Sequence, residues 1–167
     1  MLNTPRIAGI AALAAACGFA APASASTVGG TLNTSATVTA NCTVSTSALA
    51  FGNVDSTSAS NVDASGGLTI TCTNGSAWTA SAGVGAGTGA SYATRKMTAG
   101  ANLLNYNIYT SAARTTVWGD GTGSTATIGG TGTGTGQSVT VYGRVAGGQT
   151  GVPIGSYADT VAVTITY

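Results

Sequence analysis

The sequence predicts an all-β sandwich. About six or seven short segments alternate apolar and polar side chains with a period of two, which is the pattern of half-buried strands. Glycine-rich turns separate these segments, and the chain holds 26 glycines in 167 residues. Beyond the N-terminal region, good helix formers other than alanine are rare, whereas Gly, Thr and Ser dominate. Together these features are typical of two packed antiparallel sheets.

The first 25 residues have the pattern of an export signal. Arg6 supplies a positive charge, residues 7–20 form an apolar alanine-rich run, and Ala23-Ser24-Ala25 is a small-residue cleavage site. The run is too short and too poorly flanked for a stable membrane span. Cleavage after Ala25 leaves 167 − 25 = 142 residues, a length that suits one domain. Lipidation of Cys17 is the weaker alternative, because no large aliphatic residue stands three positions before it.

The mature chain carries few charges. Four basic side chains stand against four aspartates, so its formal net charge is 4 − 4 = 0, and it has no glutamate or histidine. A neutral surface of small polar residues suits a protein packed in an assembly. The lack of a basic patch argues against nucleic-acid binding. The lack of a titratable acid–base pair argues against an enzyme, and no metal or cofactor is expected.

Two cysteines remain after processing, Cys42 and Cys72. In an exported chain, an even pair is most simply interpreted as one disulfide. That bond would close a loop of about 30 residues and stabilise the fold by roughly 3–4 kcal/mol in the chain-entropy model. A zinc or redox pair is disfavoured, since the chain has no histidine and no C-x-x-C motif.

The predicted strands follow one another along the chain. The N-terminal segment, residues 26–38, comes first, and seven further segments follow: 42–52, 68–73, 78–84, 103–109, 115–118, 139–145 and 157–167. The pair Asn74-Gly75 between the third and fourth predicts a hairpin. Gly143 predicts a bulge in the seventh. The Gly-Thr alternation over residues 129–136 is interpreted as a loop or a weakly paired edge.

Several side chains have a structural and a functional interpretation. Trp78 and Trp118 are interpreted as core residues, whereas an exposed, coplanar pair would indicate a carbohydrate-binding sandwich. Asp120 is expected to bond its own backbone in a turn, because a calcium site needs further carboxylates. An ion pair between Arg144 and Asp159 and a corner hydrogen bond from Tyr157 are further hypotheses.

The alternating segment at the mature N-terminus has two interpretations. It is either the edge strand of a complete sandwich or a strand that completes a neighbour's sandwich. A sandwich lacking one of its seven strands exposes a hydrophobic groove and an unpaired edge. An extended segment of a neighbour can fill that groove, adding backbone hydrogen bonds and placing alternate side chains in pockets. Alternation alone leaves both interpretations open.

The chain resembles the spore coat protein U domain family, the pilin subunits of archaic chaperone–usher pili. The matching segments, in order, are the alternating N-terminal strand, residues 42–44, 49–52, 68–72, 95–97, 104–109, 114, 118–121, 141–144, 152–159 and the terminal strand through Tyr167. The resemblance implies an incomplete immunoglobulin-like β-sandwich with an N-terminal donor strand. It divides the chain into a signal peptide, 1–25, a donor-strand extension, 26–38, and a pilin domain, 39–167.

The resemblance also implies a donor and an acceptor surface. The inserting face of the donor strand comprises Val28, Gly30, Leu32, Thr34 and Ala36. The terminal strand that borders the acceptor groove contributes Val161, Val163, Ile165 and Tyr167. Burying Val or Leu is worth roughly 1.5–3 kcal/mol each, so Val28 and Leu32 should dominate the interaction.

The function that the resemblance implies is an exported structural subunit that polymerises into surface pili supporting adhesion and biofilm formation. Its partners would be neighbouring pilin subunits, a periplasmic chaperone that lends a strand, and an outer-membrane usher. The alternative is a self-contained secreted spore-coat or surface adhesin domain that does not polymerise. Whether residues 27–38 pair within or between chains distinguishes the two.

Overall fold

The computed structural model describes residues 22–167, so the predicted export signal lies almost entirely outside the described residues. Within them the chain forms ten strands and no helix: β1 Cys42–Ser47, β2 Val62–Cys72, β3 Ala77–Ala82, β4 Arg95–Ala99, β5 Asn102–Tyr109, β6 Val117–Trp118, β7 Thr125–Ala126, β8 Ile128–Thr131, β9 Gln137–Val145 and β10 Val163–Thr166. No helix in this part of the chain is therefore long and apolar enough to cross a membrane.

The chain divides into two units, residues 1–36 and 37–167. In the first, residues 22–36 have no regular secondary structure, and all of them are exposed. The second unit contains all ten strands.

The strands form the two sheets of a sandwich. The larger sheet has the order β1-β2-β9-β5-β6-β7, with β4 also paired to β5, and the smaller sheet has the order β10-β3-β8. Only the short β6–β7 pair is parallel among the described strands. The predicted all-β sandwich is therefore confirmed, and β1 and β10 are edge strands of the two sheets.

Both tryptophans lie in the core between the sheets. The core joins Leu68, Ile70, Leu104, Tyr106, Ile108, Val141 and Val145 of the larger sheet to Trp78, Ala80 and Ala82 of the smaller one. Trp118 is 2% exposed, and its indole N–H donates to the Ala80 carbonyl at 3.0 Å, which links the two sheets. The core interpretation is confirmed, and the carbohydrate platform, which needs exposed tryptophans, is wrong.

The predicted hairpin at Asn74-Gly75 is wrong. The turn itself forms, because Gly75 has a φ of 83° and the Ser76 N–H donates to the Thr73 carbonyl at 3.0 Å. However, β2 pairs with β1 and β9, whereas β3 pairs with β10 and β8. The turn therefore carries the chain from one sheet to the other. Turn chemistry specifies a local reversal, whereas long-range pairing selects the partners of each strand.

Gly143 makes room for a crossing segment and does not form the predicted bulge. The register of β2 and β9 continues without interruption through Ala64 and Gly143. A Cβ atom at position 143 would lie 2.6 Å from Cδ2 of Leu49 and 2.7 Å from Cζ of Phe51. Glycine is needed here because these two side chains pack directly against the strand.

The Gly-Thr run is partly strand and partly loop. Ile128–Thr131 forms β8, an edge strand on β3, and residues 132–136 form a loop, so the prediction of a weak edge or loop is confirmed. A Cβ atom at Gly130 would lie 2.5 Å from Cζ2 of Trp78. The glycine therefore allows β8 to approach the indole ring.

Replacing Gly130 by valine is expected to destabilise the fold by about 1–3 kcal/mol, because the new side chain overlaps the Trp78 ring. Thermal unfolding followed by circular dichroism measures the change. Gly151→Val is the matched control, since a Cβ atom at Gly151 meets nothing within 4 Å. Equal loss of stability in the two variants would contradict the packing role of Gly130.

Candidate functional site

A long groove opens between the edges of the two sheets. The end of β1 and the residues after it, 46–54, line one side together with Ser56, and residues 152–161, which lead toward β10, line the other. The groove has a volume of about 1000 Å³. Its floor consists of core side chains, namely Leu68, Leu104, Tyr106, Ile108, Trp118 and Val141. These six side chains are only 2–7% exposed, so the groove reaches down to the hydrophobic core between the sheets.

The inner face of β1 is incompletely covered. Val44 lies directly opposite Ile70 in the register of β1 and β2, so the two side chains share one face of the sheet. Ile70 is fully buried, whereas Val44 remains 40% exposed. The sheet therefore presents apolar surface that no strand of the described domain covers.

The groove also offers free backbone edges. Among the described residues, β1 pairs only with β2, and β10 pairs only with β3. The adjoining residues 48–56 carry no strand assignment. Unpaired N–H and C=O groups on such edges are a template for an added strand. The groove thus provides both an apolar floor and hydrogen-bonding edges for an extended segment.

The predicted terminal strand is shorter than expected. It spans Val163–Thr166 instead of residues 157–167. Ala158 forms two backbone hydrogen bonds with Thr98 of β4, at 2.8 and 3.1 Å, so the preceding segment is bonded to the larger sheet. Because its backbone groups bond to β4, the segment around Ala158 cannot also pair with β3, and the strand on β3 begins only at Val163.

The four residues predicted for the acceptor side have different environments. Val161 and Val163 line the groove, and Ile165 packs against the core while partly exposed. Tyr167 follows β10 and is exposed. The structure therefore brings two of the four to the groove surface itself.

The five predicted inserting residues all lie in the N-terminal extension, and residues 22–41, which include it, contain no strand. Every one of Val28, Gly30, Leu32, Thr34 and Ala36 is exposed, Val28 at 98% and Leu32 at 88%. The extension thus holds exposed apolar side chains at alternate positions. Their donor role remains a prediction.

Cys42 and Cys72 form the predicted disulfide. They lie opposite each other where β1 begins and β2 ends, with their Cα atoms 4.1 Å apart. The bond therefore ties the edge strand beside the groove to the larger sheet.

Loss of this disulfide through Cys42→Ala/Cys72→Ala substitution is expected to lower the unfolding free energy by roughly 3–4 kcal/mol, because the unfolded chain regains the entropy of a loop of about 30 residues. Urea denaturation compares the double variant with the oxidised protein. Disulfide-linked dimers in mass spectrometry of the oxidised protein would instead indicate bonds between chains.

A buried guanidinium beside the groove floor joins three chain segments. Arg95 is fully buried and donates to the Gly83 carbonyl from Nε at 2.9 Å and from Nη2 at 2.6 Å. It also donates to the Trp118 carbonyl at 2.8 Å and to Oδ1 of Asn107 at 2.6 Å. Neither ion pair in the described residues involves Arg95, and burial lowers its pKa. Sequence reasoning missed this role; the only available signal was an arginine in a chain with few charges.

A second polar contact lies at the groove wall. The Tyr106 hydroxyl donates to Asp159 at 2.6 Å, and Asp159 also accepts the Ala86 N–H at 2.7 Å. Burial and then the hydrogen bond to Asp159 raise the pKa of Tyr106 above its ordinary value. Tyr106 therefore stays neutral at physiological pH, and the groove presents it as an uncharged aromatic surface.

Arg144, Asp120 and Tyr157 make contacts that stabilise the fold. The predicted Arg144–Asp159 pair is wrong: Arg144 binds Asp63 at 2.7 and 2.8 Å, because the two lie opposite each other in β9 and β2. Asp120 accepts the Thr122 N–H at 2.9 Å in the predicted turn, and hydrogen bonds from Thr122 lower its pKa. Tyr157 donates to the Pro153 carbonyl at 2.8 Å and so closes its own loop.

No cluster of three or more potential metal ligands occurs in residues 22–167.

A β-sandwich with an open apolar groove and free edges defines a class of domains that can accept a further strand. The family model of the Spore Coat Protein U domain matches residues 28–164, and the chain belongs to that family. This confirms the predicted family. Protein U of Myxococcus xanthus is 35% identical over 175 residues, which cover 95% of this chain and 96% of that protein.

The fold also has a counterpart among solved structures. It is similar to a chain in the crystal structure of the CsuC–CsuE chaperone–tip adhesion subunit pre-assembly complex from archaic chaperone–usher Csu pili of Acinetobacter baumannii. The TM-score is 0.55 at 21% sequence identity, over 78% of this chain and 40% of that chain. This chain therefore spans less than half the length of the chain that it matches, and the likeness concerns the fold.

Proposed function

We propose that the protein is an exported pilin subunit that polymerises into cell-surface pili by donor-strand complementation. The N-terminal extension of one copy fills the groove of the next copy. The observation that carries the proposal is the groove itself, which reaches the hydrophobic core between two unpaired sheet edges. An extended segment with alternating apolar side chains meets both requirements of such a groove.

The extension has the alternating polarity that the groove requires. Twelve extended residues, 27–38, span about 40 Å at roughly 3.3 Å per residue. One parity carries the predicted inserting residues, whereas the opposite parity is Thr27, Gly29, Thr31, Asn33, Ser35 and Thr37. The polar parity would face solvent in the assembled fibre.

The open groove also indicates why assembly would need helper proteins. Free sheet edges and exposed apolar side chains such as Val44, which is 40% exposed on the edge strand β1, promote unspecific pairing. In our proposal a periplasmic chaperone occupies the groove first, and an outer-membrane usher exchanges it for the next subunit. The Acinetobacter complex, which joins a chaperone to a pilus tip adhesion subunit, supports the chaperone step. The resulting surface pili would serve adhesion and biofilm formation.

Expression of the mature chain with its chaperone and usher tests the proposal. Unboiled samples on a denaturing gel should show a ladder of multimers that collapses on boiling. A variant lacking residues 26–37 should show no ladder, because its groove has no donor. A ladder that persists in the truncated variant would overturn the proposal.

A second candidate is a self-contained secreted coat or adhesin domain. The similarity to Protein U and the name of the family favour it. In that case residues 27–38 fill the groove of their own domain. A monomer in both samples, with the truncated form merely less stable, would support this candidate.

A further inference from the structure

The N-terminal extension joins the sandwich at a hydrogen-bonded corner beside the disulfide. The hydroxyl of Thr73 accepts the Asn41 N–H at 3.1 Å and lies within donating distance of the carbonyls of Asn41, at 3.3 Å, and Thr39, at 3.4 Å. The Thr73 N–H donates to the Asn41 carbonyl at 2.9 Å. One residue after β2 therefore holds the last three residues before β1.

This corner is fixed to both sheets. The disulfide adjoins it directly, because Cys42 follows Asn41 and Cys72 precedes Thr73. The Gly75 N–H donates to the Gly132 carbonyl at 2.9 Å, and the Gly134 N–H donates to the Cys72 carbonyl at 3.0 Å. These bonds connect the turn after β2 of the larger sheet to the chain that follows β8 of the smaller sheet. The point where the extension leaves is thus restrained by the disulfide and by hydrogen bonds that connect both sheets.

The connection between this corner and the donor residues is short. Ala36, the last predicted inserting residue, precedes Thr39 by three positions, and three extended residues reach at most about 10 Å. We propose that Thr73 anchors the joint between consecutive subunits: it sets the direction in which the extension leaves its domain and so limits bending of the fibre. This inference rests on the proposed function. The partner at the joint is a second copy of this chain.

Thr73→Val tests the inference, since it keeps a branched side chain of similar size and removes the hydroxyl. Fibres assembled with chaperone and usher are imaged by negative-stain electron microscopy, and their persistence length is measured. We expect an unchanged multimer ladder and a persistence length shorter by about twofold or more, because Thr39 and the Asn41 N–H lose their contact with the hydroxyl and residues 39–40 then lengthen the flexible connection. The backbone bond from the Thr73 N–H to the Asn41 carbonyl remains in this variant. Thr73→Ser, which keeps the hydroxyl, should retain the stiffness of the original fibre.

Fibres of Thr73→Val that are as stiff as the original would overturn the inference, as would Thr73→Ser fibres as soft as those of Thr73→Val. If Thr73→Val yields no ladder, insertion of Gly-Gly between Val38 and Thr39 decides: it spares every contact of Thr73, and unchanged stiffness would overturn the short-joint argument. Absence of a ladder from the unmodified chain would instead overturn the proposed function, and the inference with it.

Discussion

Leu32→Asp is expected to abolish the heat-labile multimer ladder. In the proposed fibre, Leu32 enters an apolar pocket of the neighbouring subunit, where its burial is worth roughly 1.5–3 kcal/mol. An aspartate at that position would lose this contribution and would have to bring a charge into the groove, which is strongly unfavourable without a partner. Because Leu32 is 88% exposed, the substitution should leave the fold of the monomer unaffected. The ladder on an unboiled gel and the thermal midpoint of the purified subunit measure the two effects separately.

Asn33→Asp is the matched control for this experiment. It introduces the same charge one residue further along, on the parity that would face solvent, and is therefore expected to assemble normally. Equal assembly of the two variants would contradict insertion of Leu32. Loss of assembly in Asn33→Asp alone would show that the opposite parity enters the groove.

Arg95→Leu is expected to cost the domain about 3–5 kcal/mol of unfolding free energy. The substitution leaves the buried carbonyls of Gly83 and Trp118 without their donor. It also removes one of the two donors to Oδ1 of Asn107, which keeps the Ile108 N–H at 2.9 Å. Each buried group that loses its partner costs roughly 1–3 kcal/mol. Since whole domains are stable by only about 5–15 kcal/mol, the thermal midpoint should fall on the order of 10–20 °C. Urea denaturation with linear extrapolation measures the free energy directly.

Arg144→Leu provides the comparison for Arg95→Leu. Arg144 makes two hydrogen bonds to Asp63, but its side chain is 32% exposed, so solvent screens the pair. Removing a surface ion pair of this kind typically costs about 1 kcal/mol or less. If Arg95→Leu unfolds at the same urea concentration as Arg144→Leu, the hydrogen bonds of the buried Arg95 do not stabilise the domain more than a surface ion pair does, and the prediction is wrong.

The local features of this fold were predictable from the sequence. Residues 103–109 and 139–145 were predicted as strands and lie within β5 and β9, because alternation of side chains directly reflects a strand with one buried face. The disulfide between Cys42 and Cys72 and the burial of Trp78 and Trp118 followed from residue type and cellular context. These properties depend on short stretches of chain or on composition, and a single sequence contains them.

Long-range features were not predictable in the same way. The pair Asn74-Gly75 predicts a hairpin, yet this turn separates the sheets, since the pairing of β2 with β9 involves residues about 75 positions apart. Gly143 predicts a bulge, yet the approach of Leu49 and Phe51 explains the glycine. The role of Arg95 has no local sequence pattern, because its three acceptors come together only after the end of β3 has packed with β5 and β6.

The groove depends both on local sequence patterns and on tertiary packing. The sequence by itself determined that strands form, which of their faces are apolar, and that the extension carries alternating apolar residues, because each of these is a periodicity of neighbouring positions. Only the tertiary structure decided that β1 and β10 become the edges of separate sheets and that a groove lined by residues 46–54 and 152–161 reaches the core between them. Such a groove forms where strands do not meet, and this relation between distant segments exists only once the chain has folded.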